Sequence, residues 1–152
     1  MKKLICTIPG ILLTFIIITG FTLPLDIKEA GIKVIANEKG APLTLTMKEL
    51  KSVLKGEKQR WGDGTKISIA FMKTNTSVGG ETAEKILDMS GDQLNKFWLA
   101  LVFQGKAKAP TFFSSPTDLE NYVSQTPGAI GVIDGQFSSK AKTVSVDGKK
   151  TL

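Results

Sequence analysis

Short runs of apolar and β-branched residues recur along the chain and predict the strands of a sheet. Ile32–Ala36 and residues 67–72 are each bounded by polar turn residues, and residues 129–133 follow a Pro-Gly pair. Residues 144–146 alternate apolar and polar positions, which predicts a last strand at the edge of the sheet.

Between these runs, the apolar residues follow the spacing of helices. Thr46 and Glu49 form a capping box that begins one helix, and Gly56 ends it. Ser90 and Gln93 form a second box, ahead of the strongest helical pattern in the chain. We expect the apolar stripe of this helix to face the core; its members are Leu94, Phe97, Trp98, Leu101 and Val102.

Two further helices complete the pattern. Residues 81–89 predict a helix that follows a polar loop over residues 74–80. Pro116 in a first turn predicts another, which ends at Pro127-Gly128. Its buried side chains are expected to be Leu119, Tyr122 and Val123. Because strands and helices alternate, the sequence predicts one α/β domain over residues 31–152.

Residues 1–23 have the layout of an export signal. Lys2 and Lys3 precede a run of residues, 4–23, that contains no charge. The run is also about long enough to cross a bilayer as a retained anchor. We therefore expect export to the periplasm or cell envelope with this signal removed, and a membrane contact only if the segment is retained.

The composition excludes several classes of catalytic and metal site. The chain of 152 residues has no histidine and one cysteine, Cys6. Ser-His-Asp sets, Cys-His sets and histidine zinc sites therefore cannot form within it, and neither can a thiolate cluster or an internal disulfide. No two carboxylates stand out as an acid–base couple. We expect no enzyme activity, no catalytic residue, no metal and no cofactor.

The positive charge of the chain is dispersed. There are 20 basic and 14 acidic residues, a net charge of +6, and loss of residues 1–23 would remove two of the basic ones. The other lysines stand mostly singly, unlike the clustered footprint of a nucleic-acid-binding protein. We expect no nucleic-acid partner.

Three segments together resemble the phosphate ABC-transporter substrate-binding proteins. Residues 47–56 lead to Trp61-Gly62-Asp63-Gly64, similar to the family's helix followed by Leu-x-Gly-Lys and Trp-x-Asp-Gly. Residues 67–72 and their polar loop lie where the family has its main anion-binding loop. Residues 126–132 closely match the family's Pro-Gly-Ala-Ile-Gly-Tyr signature. The resemblance covers residues 32–134.

The resemblance implies the fold class: α/β, a single lobe of a type II periplasmic-binding-protein-like fold, with a mixed sheet flanked by helices. Full-length members have two lobes and bind phosphate in the cleft between them. Residues 31–152 are long enough for about one lobe. The family's N-terminal glycine-rich phosphate loop is absent, since Gly31-Ile32 leads directly into the first strand.

The resemblance also implies where phosphate or another small oxyanion would bind. After the strand at residues 67–72, relatives carry an Arg and a Ser-Gly-Thr run that opens a helix and offers hydroxyls and free backbone amides. In this sequence Lys73 lies near the Arg position, and Glu81 at the expected helix start would repel an anion. The candidate ligand-binding residues, which offer charge, hydroxyls or backbone amides, are Lys73, Thr74, Thr76, Ser77, Gly79 and Gly80.

Two functions remain open at this stage. One is an exported domain, similar to solute-binding proteins, that binds phosphate or a similar oxyanion weakly because one lobe leaves the anion in water. The other is an accessory module of the cell envelope that binds no ligand and contacts an envelope protein or a second copy of itself. On the second interpretation, the hydroxyls and glycines of residues 73–82 only form a turn.

Overall fold

The computed structural model describes residues 31–135 and 141–152. Within them the strands form one mixed sheet with the order β2-β6-β1-β5-β3-β4. β1 is antiparallel to both of its neighbours, and the other neighbouring strands are parallel. The strands are β1 Ile32–Ala36, β2 Thr44–Leu45, β3 Ser68–Met72, β4 Thr111–Phe113, β5 Ala129–Asp134 and β6 Lys142–Val146.

The helices confirm both capping boxes. Thr46 Oγ1 accepts a hydrogen bond from the Glu49 amide at 3.2 Å, and Ser90 Oγ accepts one from the Gln93 amide at 3.2 Å. Gly56 follows the first helix with a φ of +72°, a conformation that favours glycine. The helices are α1 Met47–Leu54, α2 Ser77–Glu81, α3 Gly91–Phe103 and α4 Pro116–Gln125, with a π-helical turn over Thr82–Ile86.

Helices cover the two faces of the sheet. Ala70 pairs with Gly131, and a Cβ at Gly131 would meet Leu119 of α4 at 2.7 Å. Phe71, the next residue of β3, points to the opposite face and meets Trp98 of α3, with ring centroids 6.5 Å apart. The sheet therefore lies between α4 on one face and α3 on the other.

Trp61 connects two of the segments that carry the family resemblance. Its side chain is buried, and its Nε1 donates a hydrogen bond to the Gly128 carbonyl at 2.9 Å. Gly128 has a φ of +76°, and a Cβ there would meet the Lys66 carbonyl oxygen at 2.3 Å. Only glycine fits this turn, which follows the end of the helix that Pro116 begins.

The sheet differs from the prediction at its edges. The strand predicted at residues 144–146 is β6, and it lies between β2 and β1 rather than at the edge. The edge strands are β2 and β4, and neither was predicted. Two or three residues are too few to show a strand period, so only their pairing identifies them.

The helix after β3 begins earlier than predicted. The loop expected over residues 74–80 contains the start of α2, and Thr76 is its N-cap. Glu81 is therefore the last residue of α2, not a residue at its positive end, and it pairs with Lys85 at 2.7 Å. The expectation that Glu81 repels an anion at the helix start is wrong for this reason.

The apolar stripe of α3 is buried only in part. Leu94 and Trp98 are buried, whereas Val102, which was predicted to face the core, is 41% exposed. Tyr122 of α4 is likewise half-buried, and its ring lies 5.3 Å from that of Phe113. Both residues lie beside β4, the short strand at the edge of the sheet.

The predicted export signal, residues 1–23, lies outside the described residues. None of the helices formed by the described residues has the length and apolar character needed to cross a bilayer.

Candidate functional site

The strand order reverses between β3 and β5, which is where an open α/β sheet has its crevice. The chain leaves β3 towards β4, on one side, and leaves β5 towards β6, on the other side. Open α/β sheets bind ligands outside the carboxyl ends of their strands at such a reversal. Lys73 follows β3 directly, and Asp134 is the last residue of β5. The loop that the sequence selected therefore lies at the end of the sheet that this rule favours.

The backbone of Lys73 is held on both sides. Its amide donates to the Phe113 carbonyl at 2.8 Å, which ties the end of β3 to the end of β4. Its carbonyl accepts hydrogen bonds from the Thr76 amide at 2.9 Å and the Thr76 hydroxyl at 2.7 Å. The Lys73 side chain is exposed and forms no salt bridge in the described part of the chain. A fixed backbone thus presents a free ammonium group.

Thr76, Gly79 and Gly80 use their polar groups within the turn. Thr76 Oγ1 also accepts from the Gly79 amide at 3.1 Å, and the Gly80 amide donates to the Thr76 carbonyl at 2.9 Å. The expectation that amides near Gly79-Gly80 face a ligand is therefore wrong. Because the helix begins at Ser77, the free amides at its start belong to Ser77 and Val78.

Gly79 has a packing role instead. A Cβ at this position would meet the carbonyl oxygen of Lys73 at 2.1 Å, whereas a Cβ at Gly80 would meet nothing closer than the Thr74 carbonyl at 3.8 Å. The first glycine allows α2 to lie against the end of β3. The second is free to carry a side chain.

Thr74 and Ser77 keep unused hydrogen-bonding capacity. Asn95 Nδ2 of α3 donates to Thr74 Oγ1 at 3.1 Å, which leaves the Thr74 hydroxyl proton free to be donated. Ser77 is exposed, and its hydroxyl has no partner among the described residues. Together with Lys73 and the amides of Ser77 and Val78, these groups give the end of β3 one cation, two hydroxyls and two backbone donors, with the carboxylate of Asp134 at the end of the neighbouring strand.

Ser115 is a further candidate that sequence reasoning did not select. It is the N-cap of α4 and lies two residues beyond Phe113, whose carbonyl is bonded to Lys73. Its side chain caps no amide of its own helix. The pattern of a strand followed by Ser-Pro could have indicated it, but only the pairing of β3 with β4 brings it towards Lys73.

The acidic side chains of the described residues are dispersed. No group of three or more His, Cys, Asp or Glu side chains comes together in them. Bonds from Thr46 lower the pKa of Glu49, bonds from Thr65 lower the pKa of Asp63, and a bond from Lys51 lowers the pKa of Asp88. All three shifts stabilise an ordinary carboxylate away from the crevice.

Comparison with known proteins identifies the fold. No family model and no curated protein matches the chain. An ABC-type phosphate transport receptor from Vibrio cholerae is 16% identical, with a TM-score of 0.61 over 81% of this chain and 49% of that chain. A phosphate ABC transporter substrate-binding protein from Clostridium perfringens, solved with bound phosphate, is 17% identical, with a TM-score of 0.62 over 80% of this chain and 47% of that chain.

A third structure, PstS from Borrelia burgdorferi, is 15% identical, with a TM-score of 0.61 over 81% of this chain and 49% of that chain. The chain therefore has the fold of about half of such a protein and spans about half the length of each. The predicted α/β fold and its likeness to phosphate substrate-binding proteins are confirmed at this level. Two of these structures are described as a phosphate transport receptor and a phosphate transporter substrate-binding protein.

Proposed function

We propose that the folded part of this chain is an exported solute-binding-like domain that binds phosphate or a similar small oxyanion weakly. The observation that carries the proposal is the set of free donors at the carboxyl end of β3, where the strand order reverses. The structures of similar fold, which include one with bound phosphate, support an oxyanion as the ligand.

Lys73 supplies the charge in this proposal. Its ammonium group and the hydroxyls of Thr74 and Ser77 donate to the oxyanion, as do the amides of Ser77 and Val78. Thr76, Gly79 and Gly80 contribute indirectly, since they hold the turn that positions these donors. The anion would lie close to Asp134, which opposes binding and favours a partly protonated anion over a fully charged one.

The affinity is expected to be weak. A site on one lobe remains open to water, where charge–charge attraction is several times weaker than in a closed cleft. A second copy of the chain or an envelope protein that covers the crevice would exclude water and raise the affinity. We do not propose that the chain delivers phosphate to a permease, because a single lobe cannot close around the anion.

Isothermal titration of phosphate into the purified protein, with sulfate as a control, tests the proposal. Saturable heat with phosphate supports it, and the absence of heat at millimolar phosphate contradicts it. Lys73→Ala is expected to weaken binding at least tenfold. Lys48→Ala, which removes an exposed lysine of α1, is the control and should leave the affinity unchanged.

The alternative is an interaction module of the cell envelope that binds no ligand. The specific observation in its favour is that Thr76, Gly79 and Gly80 already use their polar groups within the turn. Gel filtration with and without phosphate distinguishes the two functions. Dimers that form only with phosphate favour ligand binding. Self-association without phosphate, or co-purification with one envelope protein, favours the module.

Export through residues 1–23 belongs to the same proposal. The mass of the protein recovered outside the cytoplasm identifies its first residue. A start after residue 20 supports a cleaved signal, and an intact N-terminus in the membrane fraction supports an anchor.

A further inference from the structure

The exposed face of α3 carries an apolar surface that the oxyanion site does not explain. Phe103 is 83% exposed, Leu99 58% and Val102 41%. They lie at positions i+4, i and i+3 of the helix, so their side chains share one face. We call this group the Phe103 surface. Large exposed apolar side chains that cluster in this way are typical of a contact surface.

An apolar groove continues the Phe103 surface towards the sheet. It is an open groove with a volume of about 220 Å³, and its lining consists of Asn95 and the apolar residues Trp98, Leu99, Val102, Ala109, Pro110 and Phe112. Phe112 belongs to β4, the edge strand. The groove therefore lies at the edge of the sheet.

A cationic pocket lies on the other side of Trp98. Lys58, Lys66 and Lys108 line it, and none of its lining residues is acidic. These three lysines form no salt bridge in the described part of the chain. The pocket has a volume of about 30 Å³, close to that of one water molecule, so an anionic group would sit over its mouth and not inside it.

We propose that the Phe103 surface docks on a bilayer that contains anionic phospholipid. The apolar groove and the cationic pocket share Trp98, so a molecule with an apolar chain and an adjacent negative group fits both. That is the chemistry of an anionic phospholipid. Phe103 and Leu99 enter the interface of the bilayer, and the lysine ammonium groups meet the lipid phosphates.

Charge complementarity selects this occupant over a second copy of the chain. In a symmetric dimer the same face of a second copy would have to supply partners for the lysines, and the lining of neither pocket contains a carboxylate. The contact would also be a property of the folded domain itself, independent of whether residues 1–23 remain attached.

A fluorescent label beside Phe103 tests the proposal in the full chain. Cys6→Ser combined with Gln104→Cys gives one labelling position, since Gln104 is exposed and follows Phe103 directly. An environment-sensitive dye there is expected to shift to shorter wavelength with vesicles of phosphatidylcholine and phosphatidylglycerol in equal parts. Phosphatidylcholine vesicles alone should produce little shift. The same label at Gln125 of α4, on the opposite face of the sheet, should not shift with either.

Variants in the labelled chain separate the two parts of the contact. Phe103→Ser should abolish the shift. Circular dichroism of this variant is the control, and it should show an unchanged fold because Phe103 is exposed. Lys108→Gln is expected to weaken vesicle binding roughly fivefold, the effect of one cation at an anionic surface. Lys149→Gln, which removes an exposed lysine outside both pockets, should have no effect.

Three outcomes would overturn the proposal. The first is an equal shift at both labelled positions or with both vesicle types, and the second is a shift that survives Phe103→Ser. The third is a shift that rises with protein concentration without vesicles, which would assign the surface to a second copy of the chain.

Discussion

The loop after β3 and the exposed face of α3 use their side chains in opposite ways. In the loop, Thr76 donates one hydrogen bond and accepts another within the same turn, and Gly79 lies against the carbonyl of Lys73. On α3, Leu99 and Phe103 contact solvent. Polar residues whose pattern predicted a ligand site therefore bond and pack within the protein. The apolar side chains that are available to a partner lie instead on α3, a helix whose apolar stripe predicted burial.

The largest effect on stability is expected from the two glycines of α2, because only Gly79 lacks room for a side chain. Gly79→Ala should lower the free energy of unfolding by roughly 1–3 kcal/mol, since its Cβ must displace the Lys73 carbonyl. Gly80→Ala is the matched control and should raise it by about 0.5–1 kcal/mol, because alanine is the better helix former and has room. Urea unfolding measures both. Equal effects from the two changes would mean that α2 does not lie against β3.

A smaller effect is expected from the cap of the same helix. Thr76→Ala should lower the free energy of unfolding by about 1 kcal/mol, because the Gly79 amide loses its acceptor. Thr76→Ser keeps the hydroxyl and should retain most of the stability. Thermal unfolding followed by circular dichroism compares them. If both variants melt like the parent protein, the cap is not formed in solution.

Asp88 lies between α2 and α3, and its bond to Lys51 should make the stability of the protein depend on pH. The hydrogen bond from Lys51 lowers the pKa of Asp88 below its ordinary value of 3.8. A lowered pKa means that this contribution to stability is complete above the ordinary value and is lost as the pH falls through the lowered one. Asp88→Asn, which tolerates the positive φ of 56° at this position, should be less stable than the parent at neutral pH.

The difference between Asp88→Asn and the parent should shrink in acid. Urea unfolding at neutral pH and below the ordinary pKa of aspartate tests this. A difference that stays constant across that range would show that the Lys51 contact contributes nothing that depends on charge.

The smallest effect on stability is expected on the exposed face of α3. Phe103→Ser should change the free energy of unfolding by no more than about 0.5 kcal/mol, because the ring has little contact to lose. A large loss of stability, measured by urea unfolding, would mean that Phe103 packs against the protein in solution. That result would remove the contrast between the two regions.

Local signals predicted much of the fold. Ser90 and Gln93 are three residues apart, so the box that begins α3 depends on nothing distant. The turn at Gly128 needs a positive φ, and the Pro-Gly pair in the sequence indicated a turn at this place. In contrast, the start of α2 was misplaced, because glycines are poor helix formers and favoured a loop. The close approach of α2 to the Lys73 carbonyl explains why Gly79 lies inside this helix.

Two parts of the candidate site could not be predicted, one because of a helix boundary and the other because of long-range pairing. Whether the amides of Gly79 and Gly80 were free depended on where the helix began. Whether Ser115 lay near Lys73 depended on the bond between Lys73 and Phe113, 40 residues apart in the sequence and joined only through the parallel sheet. Neither relation leaves a periodic trace in the sequence.

The sequence by itself determined the alternation of strands and helices, the two capping boxes, the α/β class, and the absence of histidine chemistry. These depend on backbone preference, on side-chain period and on composition, which are local properties. The tertiary structure alone decided that β6 is an inner strand, that Val102 is exposed, and which donors at the end of β3 remain free. Burial and hydrogen-bond partners depend on which distant segments meet, and that is a property of the folded chain.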